Sequence, residues 1–241
     1  MFKYYLIHNL EEYRKTHMLS LFEKYDIPIE DVKIIEHPNK DELTYKLKKR
    51  VVQKKSNIRD GWISCSYKHY LAIQDVVKNK YPYAVVMEDN IGDFFENVPE
   101  RLLKYLNELP DDWGILYDSV WGDYREMNEL KVAKDKLTYL KSHNITRNKE
   151  GKIISGGATR AAQFYFLNYD TAKKMEQLFI PFNHSADIWM NEVLRRGNIN
   201  SFWSEPSLVS AKLNKQTSTL VDKNKILYRV KSKIINKVLD I

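Results

Sequence analysis

Glu88, Asp89 and Asn90 follow directly on Tyr83-Ala-Val-Val-Met87, a short apolar, β-branched run. A run of that kind reads as a strand buried on both faces. In open α/β sheets, ligands bind outside the carboxyl ends of the strands, so the trio falls where a site is favoured. Carboxylates buried there without partners are costly, and a divalent cation offsets that cost. Mg2+ and Mn2+ take oxygen ligands, commonly one or two carboxylates together with substrate phosphates. Asp89 and Asn90 are therefore the candidate metal ligands. Asp and Asn are also ordinary turn residues, so the trio alone leaves a metal site and a polar turn both open.

Cys65 and His69 are the other pair with chemical spacing. Four apart on a helix, they share a face. They could begin a zinc site, but Cys65 is the only cysteine and the histidines are scattered. Core packing is the preferred reading for Cys65. His69 is open between a ligand contact and a satisfied buried histidine. A lone cysteine forms no internal disulfide, so nothing points to an oxidising compartment.

Elements that could position these residues follow from periodicity. Lys3 to Ile7 reads as a strand and Asn9 to Tyr25 as a helix, with Leu10, Tyr13, Met18, Leu21 and Phe22 at helical spacing. Val32 to Glu36 reads as a second strand, completing a parallel βαβ unit. The basic stretch Asp41 to Lys55 reads as a solvated helix, and Ser64 to Lys78 as another. Pro99 to Leu109 is a helix opened by proline. Trp113 to Tyr117 and Gln163 to Leu167 are strands; Thr171 to Phe179 and Asp187 to Arg195 are helices. Trp121 to Gly157 reads as loop or hairpin. From Asn224 to Ile241, Ile226, Val230, Ile234 and Val238 form an apolar stripe edged by Lys225, Arg229, Lys233 and Lys237. That tail suits packing back on the domain, a dimer contact, or peripheral contact with an anionic membrane.

The 39 Lys+Arg exceed the 32 Asp+Glu, giving +7. The excess suits a solvated surface or attraction to an anionic partner. The lysines are dispersed rather than interleaved with aromatics on one face, so nucleic acid ranks last. The N-terminus lacks a signal-peptide layout, and no run approaches the ~20 apolar residues of a membrane span. The expectation is a cytoplasmic protein.

Read together, seven blocks resemble glycosyltransferase family 25, which includes lipopolysaccharide-type and collagen galactosyltransferases. Tyr5-Leu-Ile-His-Asn-Leu10 with Arg14 resembles its opening "INL" strand. Gly61-Trp-Ile-Ser-Cys65 through His69 resembles its "GxxxCxxSH" helix start, and Tyr83 through Asn90 its "LILEDD" block. Asp112-Trp-Gly-Ile-Leu-Tyr117 resembles its "WDIxYLG" strand, and Ala162 through Asn168 with Ala172 its "AYIISxxGA" block. Pro181 through Asp187 resembles its "PVD" segment, and Glu205-Pro-Ser-Leu-Val209 its closing "PxLV". The chain departs from the pattern at Asn90, where the family has aspartate, at Lys68, where it has serine, and at Asp118, where it has glycine.

The resemblance implies an α/β fold of the GT-A-like (Rossmann-like) kind, a mixed, mainly parallel sheet flanked by helices, assigned to residues 1–215; the periodicity of the tail adds a C-terminal amphipathic helix in 216–241. It implies a nucleotide-sugar donor, a UDP-sugar above all, a glycan or protein hydroxyl as acceptor, Mn2+ or Mg2+, and inversion. Donor contacts fall on His8, Asn9, Arg14, His69, Glu88 and Asp89. Arg14 would meet the pyrophosphate, or stand as a surface helix residue. Inversion needs a general base on the acceptor hydroxyl. Asp187 is the candidate, with capping of a helix starting at Ile188 as its alternative and Glu192 as a second choice. Trp121, Tyr124, Tyr165 and Trp189 could line an acceptor cleft, or simply fill the core. An impaired, purely binding relative is the competing class, favoured by Asn90 and Lys68.

Overall fold

The strands alternate strictly. In Phe2–Ile7 (β1), Tyr5 and Ile7 point to one side and Tyr4 and Leu6 to the other, and all four are buried. Tyr83–Glu88 (β3) does the same, with Ala84 and Val86 opposed to Val85 and Met87. Strands apolar on both faces must be covered on both faces, and the helices supply the cover. The computed structural model describes residues 2–118, 161–204 and 207–210, with the strands Thr138–Leu140, Thr146–Arg147 and Ile153–Ser155. The tail and the 215/216 division lie outside the described residues.

Between β1 and β3 come Glu12–Lys24 (α1), Val32–Ile35 (β2), Tyr45–Val51 (α2) and Asp60–Asn79 (α3). After β3 follow Asp93–Phe94 (β4), Val98–Glu108 (α4), Ile115–Tyr117 (β5), Thr138–Leu140 (β6), Thr146–Arg147 (β7), Ile153–Ser155 (β8) and Phe164–Asn168 (β9). The order ends with Tyr169–Phe179 (α5), Ala186–Gly197 (α6), Ser201–Trp203 (β10) and Val209–Ser210 (β11). Seven strands form one sheet in the order β2-β1-β3-β9-β5-β10-β6. β1 pairs parallel with β2 and β3, and β10 with β5. β9 runs antiparallel between β3 and β5, and β6 antiparallel on β10. The sheet is therefore mixed and mainly parallel, as expected. α3, α5 and α6 cover one face; α1 and α4 cover the other.

Several boundaries differ from expectation for local reasons. α1 starts at Glu12, not Asn9, because Leu10 sits at φ 68 and the chain turns there. A bulky residue in the left-handed region is uncommon, and this one stands two residues beyond His8. α3 starts at Asp60 rather than Ser64, with the Asp60 carboxylate in its first turn, where the helix dipole favours it. The basic stretch is α-helical only over α2, where the Thr44 hydroxyl accepts from Leu47 N–H, after a 3-10 turn at Lys40–Glu42. The Trp121–Gly157 region contributes β6 to the main sheet, and β7 and β8 pair antiparallel as a small hairpin. Gly114 permits close packing before β5. A Cβ there would lie 2.5 Å from Ile199 Cγ2 and 2.8 Å from Thr171 Oγ1.

Asp118, the departure from the family's glycine, is fully buried. It accepts hydrogen bonds from Ser207 Oγ at 2.9 Å and Leu208 N–H at 2.6 Å, and from the Tyr105 hydroxyl. The carboxylate thus ties the end of β5 to α4 and to the segment entering β11. Burial pushes its pKa up. Among the described residues no helix is long and apolar enough to cross a membrane.

Candidate active site at the end of β1 and β3

β1 lies between β2 and β3, so the chain leaves it in one direction to reach β2 and returns on the other side as β3. This is a topological switch point, where crossovers diverge and leave a crevice. Ile7 stands opposite Glu88, and the Asp89 N–H donates to the Ile7 carbonyl at 3.1 Å. His8, Asn9, Glu88 and Asp89 therefore meet at one sheet edge.

Two adjacent clusters form there, separated by the strand's own alternation. Asp89 is the centre of the first. Its Oδ2 accepts from His8 Nδ1 at 2.8 Å and from Asn9 N–H at 3.1 Å, and its Oδ1 accepts from Arg14 Nη1 at 2.8 Å. Asp89 is 6% exposed and Arg14 7%. Burial opposes the charged form of Asp89, but the His8 hydrogen bond and the Arg14 charge hold its pKa below the usual carboxylate range. The Arg14 Nε meets the Tyr13 hydroxyl at 3.0 Å and Glu11 at 3.2 Å. Its Nη2 is buried with no hydrogen-bond partner among the described residues. Behind these residues Lys68 is buried and donates to the His8 carbonyl at 2.6 Å. Burial pushes the Lys68 pKa down.

Glu88 continues the Ala84 and Val86 side of β3 and so faces α3. Its Oε1 lies 3.3 Å from His69 Nε2 and 3.5 Å from Cys65 Sγ, and its Oε2 accepts from Asn90 Nδ2 at 3.0 Å. The other His69 nitrogen, Nδ1, meets the Tyr165 hydroxyl at 3.0 Å, and the two rings stack. Gln163 Nε2 donates to both the backbone and side-chain oxygens of Asn90 at 2.9 Å. Asp187 approaches from α6, within electrostatic reach of Glu88 and Cys65. Its carboxylate is held by the Ser185 hydroxyl and the Ile188 N–H, while burial and the Glu88 charge push its pKa up.

The structure thus gathers His8, Asn9, Arg14 and Asp89 in one cluster and His69, Glu88 and Asn90 in the next. Asp187 is inside α6, whose N-cap is Ser185. Cys65 packs against the core as the sequence suggested, yet also meets Glu88. Glu192 pairs with Arg195 on the surface. Tyr165 and Trp189 are buried, and the Trp189 indole donates to the Phe179 carbonyl, so they fill the core; Trp121 and Tyr124 lie outside the described residues. Gln163 carries no site signal in the sequence, and Tyr165 reads there as an aromatic of an acceptor cleft or of the core, not as a partner of His69. They reach the site only because β9 lies antiparallel against β3.

The expected Mn2+ or Mg2+ ligands, Asp89 and Asn90, have other partners. Three donors occupy a carboxylate with about four acceptor positions, and one of those donors is a cation. The Asn90 amide oxygen is taken by Gln163. Those two residues do not fit a hard-cation site.

Among solved structures, a Bacillus anthracis protein described as a glucose-1-phosphate thymidylyltransferase, in complex with sucrose, shares 12% identity. The match covers 85% of this chain and 87% of that one, with a TM-score of 0.42. Mouse xyloside xylosyltransferase 1, in its apo form, shares 13% identity over 81% of this chain and 69% of that one, with a TM-score of 0.39. No curated protein sequence matches the chain. Residues 1–190 match the profile of Glycosyltransferase family 25 (LPS biosynthesis protein). The match spans most of the chain and contains every candidate site residue from His8 to Asp187, so this protein belongs to glycosyltransferase family 25.

Proposed function

We propose that the chain transfers a sugar from a nucleotide-sugar to a hydroxyl of a glycan or protein, with inversion at the anomeric carbon. The observation that carries this reading is the Arg14 guanidinium, buried at the switch point with Nη2 unpartnered. A buried N–H on a cation that lacks a partner is suited to a phosphate oxygen of the donor. Asp89 fixes that guanidinium, and His8 and Asn9 close the same end of the crevice. Uridine is taken as the nucleoside on the family resemblance. Glu88 and His69 face the sugar end.

Inversion in one displacement puts a base opposite the leaving group. Asp187 takes the acceptor proton on an oxygen whose basicity is raised by burial and by the Glu88 charge. A base with raised pKa removes the acceptor proton more readily. Charge on the departing diphosphate is met by Arg14. A divalent cation would supply further neutralisation, but Asp89 and Asn90 are not its ligands in this reading. The test is release of free UDP from UDP-sugars with acceptor glycans. Turnover that disappears in Asp187→Asn supports the reading; no turnover with any donor contradicts it.

The occupied state of Asp89 and Asn90 favours a second reading, a relative that binds a glycan without chemistry. It expects glycan binding that Asp187→Asn leaves unchanged, with no nucleotide released.

A further inference from the structure

We propose that Cys65, His69 and Glu88 form a binding site for a thiophilic divalent cation, zinc by the chemistry of the donor set. The side chains offer a sulfur, an imidazole nitrogen and a carboxylate oxygen that all lie within 4.8 Å of one another. Metal–ligand distances of ~2.3 Å for sulfur and ~2.0–2.2 Å for nitrogen and oxygen, at tetrahedral angles, give edges of about 3.5 Å for S···O and about 3.4 Å for N···O. The structure has 3.5 Å for Cys65 Sγ to Glu88 Oε1 and 3.3 Å for His69 Nε2 to the same oxygen. Two of the three edges thus match those of a tetrahedral ion, and the third, from Cys65 Sγ to the His69 nitrogen, lies within 4.8 Å.

The surroundings support the same assignment. His69 is fully buried, and its second nitrogen is engaged by Tyr165. An outer hydrogen bond of that kind fixes the ring and its tautomer in metal sites. Glu88 forms no ion pair with a Lys or Arg among the described residues. Its partners are Cys65, His69 and the Asn90 amide. Thiolate and imidazole select zinc over Mg2+ or Mn2+, which prefer oxygen alone. Three protein ligands leave the fourth position open, the arrangement of zinc sites that admit water or substrate. On binding, the S–H bond of Cys65 breaks, its proton goes to solvent and the sulfur bonds the ion. Nε2 of His69 bonds it as neutral imidazole, with the remaining ring proton on Nδ1 facing the Tyr165 oxygen.

This deepens the transferase reading, on which it rests only for placing the open position beside the donor. The test is cobalt substitution in the full chain after chelator treatment. One equivalent of Co2+ should give the visible bands of a tetrahedral site and a thiolate-to-cobalt charge-transfer band, both removed by one equivalent of Zn2+ and unaffected by Mg2+. Cys65 is the only cysteine, so the charge-transfer band reports this site alone, and Cys65→Ser abolishes it. Tyr165→Phe should weaken zinc binding ~10–100-fold, the usual effect of losing an outer-shell partner, with the far-UV circular dichroism unchanged. Absence of the charge-transfer band in the wild-type chain at saturating cobalt overturns the proposal whether or not the variants fold. A cobalt site without sugar transfer refutes the transferase reading alone. Sugar transfer without a cobalt band refutes this proposal alone.

Discussion

Asp89→Ala should behave as a folding mutation before it behaves as a catalytic one. The carboxylate accepts from His8, the Asn9 backbone and Arg14, and both it and the guanidinium are almost fully buried. Truncation leaves the buried Arg14 charge with only its contacts to Tyr13 and Glu11. Removing one partner of a buried pair costs about 3–5 kcal/mol. For a domain of this size each kcal/mol moves Tm by roughly 2–4 °C, so the melting point should fall by about 6–20 °C. Asp89→Asn keeps an acceptor but loses the charge, and should fall between. In the double variant Asp89→Ala with Arg14→Met the stranded charge is gone, and the loss should be smaller than the sum, with a coupling of ~0.5–3 kcal/mol. Thermal and urea unfolding measure both. A solvent-facing metal ligand would give the opposite result: activity lost, and stability within the ~0.5 kcal/mol of an ordinary surface change. That outcome would refute the reading of Asp89 as the anchor of Arg14.

Asp187→Asn should lower kcat by ~10²–10⁴, the usual worth of a general base. The base works ionised, so wild-type activity falls as pH drops through its pKa, and because that pKa is raised the acid limb should lie above that of an ordinary aspartate. The same raised pKa means that ionising Asp187 weakens the fold, a penalty absent at low pH and present above the folded pKa. Asp187→Asn should therefore raise stability at neutral pH while it lowers turnover. Gly114→Ala places a Cβ 2.5 Å from Ile199 and 3.0 Å from the Asn200 carbonyl, and should cost about 1–3 kcal/mol in urea unfolding, as overpacking does.

The central strands were legible because burial on both faces writes itself as an unbroken apolar run, as in Tyr83 to Met87. The same strand end marked Glu88 and Asp89 as site candidates. Their division of labour was not legible from spacing, although period-2 alternation sends Glu88 toward α3 and Asp89 away from it. The partner that seals Asp89 is Arg14, 75 positions earlier, and no local pattern reports that pairing. The parallel pairing of β1 with β2 was legible in the βαβ spacing, but the direction of β9 was hidden. β9 reads as an apolar strand in either sense, and only its antiparallel placement against β3 brings Gln163 to Asn90 and Tyr165 to His69. Cys65 and His69 were visible as a helix face, but a count of further cysteines and histidines missed the Glu88 carboxylate arriving from the sheet.

A thermal-shift screen of UDP-, GDP-, CMP- and dTDP-sugars against the full chain tests the transferase reading most directly. A ligand at 100 times its Kd stabilises the folded state by about 2.7 kcal/mol, which corresponds to roughly 5–11 °C for a chain of this size. Donor binding at the β1/β3 crevice predicts such a rise with a UDP-sugar, and a smaller one when Arg14 is replaced by Lys. A flat melting temperature across the whole panel, at concentrations up to solubility, would contradict it.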